Sequence, residues 1–343
     1  MFFGVGGVGR LGVAKAGGKA GPSLDLSFMA PGSLPSAVTF TRASTATYFD
    51  VAGVLQTATT NTPRWDYDPV THVLRGLLLE IARTNLLLNS AALGTQSVAV
   101  TAQPYVLSFY GTGTVTLSGT STAGPLTGTG AFPQRVSLAF TPTAGTLTLT
   151  ITGSVLNAQL EATPVAWGNV ASSWISTAGT TVARSADQCT IQPANMGWFV
   201  PPGGSWAVEL INLSPSVTST HRIVGRPDVS GSPAAITLLP SGPPLGVGQF
   251  DGVGSVIAPG SSVVNATSKA ATTWATGSAQ ACINAGTVTN SAALTSGYAA
   301  YATQGVFFMT SVANSAESVD GYLRRVRYWP RALSAAELQA ATA

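Results

Sequence analysis

The sequence predicts an all-β fold: tandem β-sandwich (jelly-roll) domains after a Gly-rich N-terminal arm, closed by a short C-terminal helix. Three observations carry this. Only 8% of the 343 residues are charged, which leaves little Lys and Glu to cover the solvated face of an amphipathic helix. Thr and Val alternate with other residues between frequent Gly (38) and Pro (21), and β-branched residues at period two between turn formers read as short half-buried strands. Such stretches recur at short, regular spacing, the pattern of a sandwich or jelly roll. The length allows two or three domains.

Mean hydropathy is +0.30, yet no stretch approaches the roughly 20 unbroken apolar residues that span a bilayer, so membrane insertion is not expected. Net charge is +3 with a pI near 9.0. The basic groups are dispersed apart from Arg10, Lys15 and Lys19 near the start and Arg324, Arg325, Arg327 and Arg331 near the end. Neither group is interleaved with an aromatic platform, so nucleic-acid binding is not expected. Cys189 and Cys282 are too few and too far apart for a metal knuckle or a disulfide framework. One long-range bridge or two buried thiols would both fit, and the thiols are favoured because Cys packs as a small hydrophobe.

Residues 1–23 form the arm. Gly4, Gly6, Gly7 and Gly9 imitate a phosphate-cradling loop, but no strand precedes them and no acidic partner follows at the right spacing. A tail of this composition gains order by docking on a neighbour, with Arg10, Lys15 and Lys19 as its assembly contacts. Phe2 and Phe3 precede those basic residues, the reverse of a secretory leader.

Between residues 24 and 90 lie four of the eight Asp residues, and Asp50, Asp66 and Asp68 stand next to aromatics, with Arg nearby. Ala46, Tyr48 and Val51 lead to Gly53 and then to Val54, Leu55 and Gln56, which reads as a hairpin. On a strand, period two puts Arg64, Asp66 and Asp68 on one face and Trp65 and Tyr67 on the other. Asp66 and Asp68 are the closest carboxylate pair and so the first candidates for acid/base or calcium chemistry. Arg64, Arg75 and Arg83 stand near enough to hold them in structural ion pairs, which is the favoured reading. Gly76 to Glu80 and Leu86 to Leu88 read as two buried strands around a polar corner, Ala82 to Asn85.

Residues 91–185 and 186–343 read as two further β-domains. In the first, the strands are expected at 106–110, 114–118, 135–140, 146–152 and 154–161. In the second, they are expected at 206–211, 221–224, 235–239, 253–258, 278–284 and 306–310. A long strand at 321–329 should place Tyr322, Arg324, Val326 and Tyr328 on one face. It stops at Pro330, and Ser334 with Glu337 forms a capping box that opens the final helix.

Several of these stretches resemble bacteriophage head spike fibre and tail fibre modules, including those of alphaproteobacterial phages and gene transfer agents. The carrying residues are Phe40 to Phe49, Gly53 to Gln56, Pro63 to Pro69, Gly76 to Glu80 and Arg83 to Leu87. Leu107 to Gly113 and Leu156 to Glu161 are similar to the jelly roll of carbohydrate-binding modules. Gly321 to Leu338 is similar to the close of laminin-G or concanavalin-like domains. The resemblance implies a phage-specific collar at 24–90, a carbohydrate-binding-module-like sandwich at 91–185 and a laminin-G/concanavalin-like sandwich at 186–343. It further implies a structural virion protein, assembled in the host cytoplasm and exposed on the particle, that docks on capsid, portal or tail components through its arm. A homo-oligomer, with a trimer favoured, and contact with host-surface glycans complete the expectation.

No catalytic, metal or cofactor site is expected. A fibre-borne glycan depolymerase would need two converging carboxylates, and Asp66 with Glu80 or Asp187 with Glu209 are the conceivable pairs. A lectin-like adhesin would use exposed rings, for which Trp167, Trp174 and Trp274 sit in polar, turn-rich contexts. For each, packing in a core is the competing expectation. His72 and His221 lack a nucleophile context and are taken as structural.

Overall fold

The computed structural model describes residues 21–130, 132–163, 170–200, 203–213, 221–225, 234–239, 245–250, 255–262, 264–275, 277–291, 304–309 and 318–343. Arg10, Lys15, Lys19 and Trp167 lie outside these residues. The chain is all-β, with a short C-terminal helix at Ala335–Ala341.

The larger sandwich is made of two sheets. In the first sheet the order is Thr289–Ser291, Ser278–Ile283, Thr267–Ala275, Gly204–Asn212, Gly321–Trp329, Leu74–Leu79 and Trp65–Tyr67. Leu24–Ser27 also pairs with the far half of Gly321–Trp329. In the second sheet the order is Val38–Thr41, Gln188–Ile191, Val306–Phe308, His221–Gly225, Ala234–Leu239, Leu245–Phe250 and Ser255–Ser262. Apolar residues of both sheets close one core, among them Leu26, Leu77, Trp206, Val326, Ile191 and Phe308. Residues 24–90, expected as a collar of their own, therefore supply strands to both sheets of the C-terminal sandwich. The physical reason is that short strands cannot bury two faces alone, and these find partners some 300 positions away, as Leu26 does opposite Val326.

The smaller sandwich comes between these two runs. Its outer sheet orders Leu126–Thr127, Thr114–Gly119, Gly145–Thr152 and Gln96–Val100, and its inner sheet orders Val136–Phe140, Tyr105–Tyr110 and Leu156–Ala162. A separate core fills it, built on Leu107, Phe109, Leu117, Leu147 and Leu160. The strands expected here all form, and Gln96–Val100 and Leu126–Thr127 add to them. Arg135 and Glu161 are the charged residues between positions 91 and 163.

Two antiparallel segments join the sandwiches: Arg83–Asn85 leaves the larger one and Val182–Arg184 returns to it. The segment expected as a polar corner is thus a strand of this neck, and Leu86 to Leu88 form no strand. Asn85 is fully buried there. Its side-chain amide donates to Ala158 O and Ile175 O and accepts from the Leu87 and Leu160 amides, so one residue ties neck to inner sheet.

Two bulges decide which side chains face the junction. Trp65 opposes Leu77 and Asp66 opposes Gly76, but Tyr67 opposes Leu74, so Arg75 is an extra residue on its strand. Gly76 makes this possible with φ of 137°, since a Cβ there would stand 2.7 Å from Leu323 O. On the neighbouring strand Glu209 opposes Arg325 and Leu210 opposes Leu323, so Arg324 is the extra residue. This corrects the expected alternation. Tyr322 hydrogen-bonds outside the core while Val326 and Tyr328 are in it.

The basic group at the C-terminal end is consumed internally. Arg324 Nε lies 2.7 Å from Glu209, Arg325 Nη2 2.5 Å from Asp25 and Arg331 Nη2 2.8 Å from Glu337. Arg327 donates to Ala341 O at 2.6 Å.

Candidate functional site

The faces turned toward the neck carry a sealed charge network. Asp187 Oδ1 accepts from Arg42 Nη1 at 3.0 Å, and its Oδ2 accepts from Arg64 Nη2 at 2.5 Å and from the Glu80 amide at 2.8 Å. Glu80 Oε2 accepts from Arg64 Nη1 at 2.8 Å, Arg184 Nη1 at 2.7 Å and Ser173 Oγ at 2.6 Å, while its Oε1 accepts from the Ser173 amide at 2.7 Å. Beside them Arg83 lies 3.5 Å from Glu161 and 3.6 Å from Asp320. Arg42, Arg64, Arg83 and Arg184 thus meet Glu80, Glu161, Asp187 and Asp320 with no net charge, the condition under which buried ions can be kept.

Burial alone would raise the Glu80 carboxyl, but Arg184, Arg64 and the Ser173 donors outweigh it and hold it down at about 2. Four donors converge on this carboxylate, three on Oε2 and one on Oε1. Held ionised, it has no proton to give. The network is structural: hairpin Ala46–Phe49/Leu55–Ala58 enters it through Thr47 O, which accepts from Arg64.

Next to the network a cleft of about 270 Å³ opens between the sandwiches. Asp66, Arg75 and Tyr322 on the larger sandwich face Tyr110 and Arg135 on the smaller one, and Ser172 and Trp174 of the returning segment close it. Asp66 Oδ1 accepts from the Phe49 amide at 2.6 Å and its Oδ2 from the Tyr322 hydroxyl at 2.8 Å. Burial is the largest influence on Asp66 and raises its carboxyl above the ordinary range, against those two bonds and Arg75. Burial, and then Asp66, push the Tyr322 hydroxyl well up. Arg75, released by its bulge, donates to Asp68 Oδ2 at 2.7 Å and to the Tyr322 hydroxyl at 3.1 Å.

Arg135 stands apart from every other arginine of the junction. Its Nη1 donates to Ser172 O at 2.5 Å and its guanidinium lies 5.8 Å from the Tyr110 ring centre. Its Nε and Nη2 are sealed from solvent and have no acceptor among the described residues, and the same holds for Trp174 Nε1.

Of the expected ion-pair residues, Arg75 holds both carboxylates as expected, whereas Arg64 and Arg83 turn to other partners. Arg64 binds Glu80 and Asp187 rather than Asp66 or Asp68, because Asp66 is drawn to Phe49 and Tyr322. Arg75 holds Asp68 at 2.7 Å and stands 3.7 Å from Asp66. Arg83 turns to Glu161 and Asp320. The Thr71 and Val70 amides, with Arg75, hold Asp68 ionised. Of the conceivable acid pairs, Asp66 and Glu80 both line the cleft, whereas Glu209 pairs with Arg324 and does not join Asp187. Among the tryptophans, Trp174 is half-buried in the cleft wall, while Trp274 is buried in the larger core beside Phe199 and Tyr328 and is not a contact residue. Arg135 was not singled out by its sequence. The one available signal was a lone base in an uncharged run. Cys189 and Cys282 are free and buried. Among the described residues no group of His, Cys, Asp and Glu is placed to hold a metal ion.

No protein-family model matches the chain, and no curated protein matches it. Among solved structures it is similar to the Ruminococcus gnavus IT-sialidase CBM40 bound to α2,3-sialyllactose, at 12% identity over 42% of this chain and 83% of that one, with a TM-score of 0.33. It is similar to the heptameric SAP-like pentraxin of Limulus polyphemus at 12% identity, over 42% and 73%, with a TM-score of 0.32. The NanB sialidase of Streptococcus pneumoniae matches at 10% identity over 44% of this chain, which spans about a quarter (26%) of that one, with a TM-score of 0.33. Superpositions this partial assign neither a family nor a ligand.

Proposed function

We propose that this chain is a non-enzymatic display module of a phage-type particle, whose junction cleft contacts host-surface glycans. The observation that carries the reading is the cleft itself. Rings, hydroxyls and N–H donors converge between two sandwiches that a neutral, sealed ion network holds in register. Mixed aromatic and hydrogen-bonding walls suit a sugar, whose faces are apolar and whose rim is polar. The stretches that resemble phage fibre modules, residues 40 to 87, supply Arg42, Arg64, Glu80 and Arg83 of that network, which supports a displayed, mechanically firm part. Docking through residues 1–23 on capsid, portal or tail proteins, and assembly as a homo-oligomer with a trimer favoured, belong to the same proposal.

Two measurements test it. Labelled chain located by electron microscopy on a purified particle supports display, and its absence from the particle removes that part. Binding of the full chain to a glycan array supports attachment, and no binding to any glycan removes it.

A fibre-borne depolymerase is the second reading, favoured by one observation: Asp66 is raised and Glu80 lowered in a shared cleft, a divergence typical of acid/base pairs. The four donors on Glu80 weigh against it. New reducing ends released from a bound glycan would establish the enzyme.

A further inference from the structure

We propose a second binding site, separate from the junction cleft: a pocket on the larger sandwich that takes a quaternary ammonium group of the choline type between aromatic rings and the Asp50 carboxylate. This goes beyond the glycan-contacting reading and does not depend on it.

The strand Trp65–Tyr67 divides its side chains between two places. Asp66 lines the junction cleft, whereas Trp65 and Tyr67 line a separate pocket of about 510 Å³. That volume lies within the roughly 300–1,000 Å³ of ordinary small-molecule sites. Asp50, and Tyr48 which borders both spaces, bring the hairpin into its wall, and Pro31 and Pro63 add apolar surface. Tyr48 and Tyr67 are half-buried, so both keep accessible surface. Trp65 turns its Nε1–H to Phe28 O at 3.1 Å, so what it offers the pocket is ring and not a donor. The guanidinium groups that stand over rings among the described residues use Phe40, Tyr322, Tyr110 and Trp329, which leaves the pocket's three rings without a cation.

Charge selects the occupant. Every other carboxylate among the described residues stands within 4.0 Å of an arginine, and Asp50 does not. The Val54 amide, then Gln56, the Ala52 amide and His72, lower its carboxyl and keep it ionised. The turn needs Asp50 only as an acceptor, a part that asparagine plays equally well, so the cap does not account for the charge. An uncompensated anion beside aromatic rings attracts a cation by its own field and by the ring quadrupoles together.

The hydrogen bonds choose among cations. Asp50 Oδ1 already accepts from the Ala52 and Val54 amides, both at 2.9 Å, and Oδ2 accepts from Gln56 Nε2 at 2.8 Å. A primary ammonium brings three N–H donors to a carboxylate whose lone pairs are largely taken. A quaternary ammonium brings none, and its methyl groups suit the prolines and Val51 of the wall.

The test titrates the full chain by calorimetry with choline, with ethanolamine and with the neutral tert-butyl isostere of choline. Choline should bind, and the other two at least roughly tenfold more weakly. Asp50→Asn keeps the turn acceptor and should weaken choline roughly fivefold. Tyr67→Leu should weaken it roughly 2–30-fold, and Tyr67→Phe, which keeps the ring, should weaken it less. Thermal melts check that each variant folds. Vesicles identify the source: co-sedimentation with phosphatidylcholine and not with phosphatidylglycerol puts the group on a bilayer. Binding of glycerophosphocholine without vesicle binding puts it on a soluble or glycan-borne carrier, and either result upholds the pocket. Equal affinity for the neutral isostere overturns the cation. Undiminished binding by folded Asp50→Asn and Tyr67→Leu overturns the location, and no binding of choline in any form overturns the site.

Discussion

Arg184 Nη1 and Glu80 Oε2 lie 2.7 Å apart in a site with almost no solvent exposure, although 104 positions separate them in the chain. Their contact joins the link between Leu74–Leu79 and the outgoing strand Arg83–Asn85 to the returning strand Val182–Arg184. Glu80 also receives Arg64, so one carboxylate answers two buried cations. Replacement by an amide leaves those cations without a counter-charge while keeping the shape. Glu80→Gln should therefore cost about 3–5 kcal/mol, the usual loss when one partner of a buried ion pair is removed. Guanidinium denaturation reads this directly, and a change under about 1 kcal/mol would show that the network contributes little.

The same residue sets an acid limit. In the unfolded chain Glu80 titrates near 4.5 and in the folded chain at about 2. Across that interval the unfolded state binds the proton first, so the stabilisation is complete above about 4.5 and is lost as pH falls toward 2. Asp66 and Asp320 are raised by burial, so the folded state takes their protons first and they do not add to the acid loss. Melting temperature should fall steeply through this window in the native chain and less steeply in Glu80→Gln. Parallel curves would assign the acid loss to other groups, Asp68 among them.

How much of this was legible beforehand depended on the distance over which each feature is decided. The hairpin at 46–58 was, because Asp50 caps its turn by accepting from the Ala52 and Val54 amides and Gly53 supplies φ of 72°. Most strands of the smaller sandwich were too, since their alternation is local, Gln96–Val100 and Leu126–Thr127 being the exceptions. Sheet membership was not: nothing near Leu24–Ser27 announces Arg325 to Tyr328 as its partners. Nor were the bulges at Arg75 and Arg324, each of which shifts the alternation that follows it. The junction was legible as Arg beside Asp, but the choice of partners was made by segments far away. Arg64 reaches Asp187 across 123 positions. Arg135 had no pattern around it at all.

Asp66 should behave in the opposite way to Glu80. Its charge is opposed mainly by burial, and its two bonds come from the Phe49 amide and the Tyr322 hydroxyl. An asparagine can accept the first with its oxygen and donate the second from its nitrogen, with the hydroxyl reversed. Asp66→Asn should therefore change stability at neutral pH by less than about 1 kcal/mol. A loss as large as that of Glu80→Gln would mean that Arg75, 3.7 Å away, depends on the charge.

Both thiols should be silent in the native chain. Cys189 lies in the core of the larger sandwich, where burial and then Asp187 push its thiol up, and Cys282 lies in a separate cluster on the outer side of the first sheet. Thiol reagents need the thiolate and access to it. Native protein should therefore react with neither cysteine, and both should react once denatured. Rapid native labelling at Cys282 would show that the C-terminal helix opens.

That helix is the cover for Cys282, so its own stability has a visible consequence. Leu338 and Ala341 meet Ala207, Ala271, Trp329 and Leu333 on the outer face of the first sheet. Seven residues cannot sustain a helix alone, and two devices hold it. Ser334 and Glu337 form a reciprocal capping box, and Arg331 braces Glu337 at 2.8 Å. Ser334→Ala removes one arm of the box and should cost about 1 kcal/mol, while Leu338→Ala removes the buried anchor and should cost about 2–5 kcal/mol. Thr342 Oγ1 lies 3.4 Å from Cys282 Sγ, so undocking of the helix uncovers the thiol. Labelling of Cys282 should accelerate in both variants and in the same order as their loss of stability, with Cys189 unchanged. If the rate at Cys282 stayed at the native level in Leu338→Ala, the helix would not be what shields it.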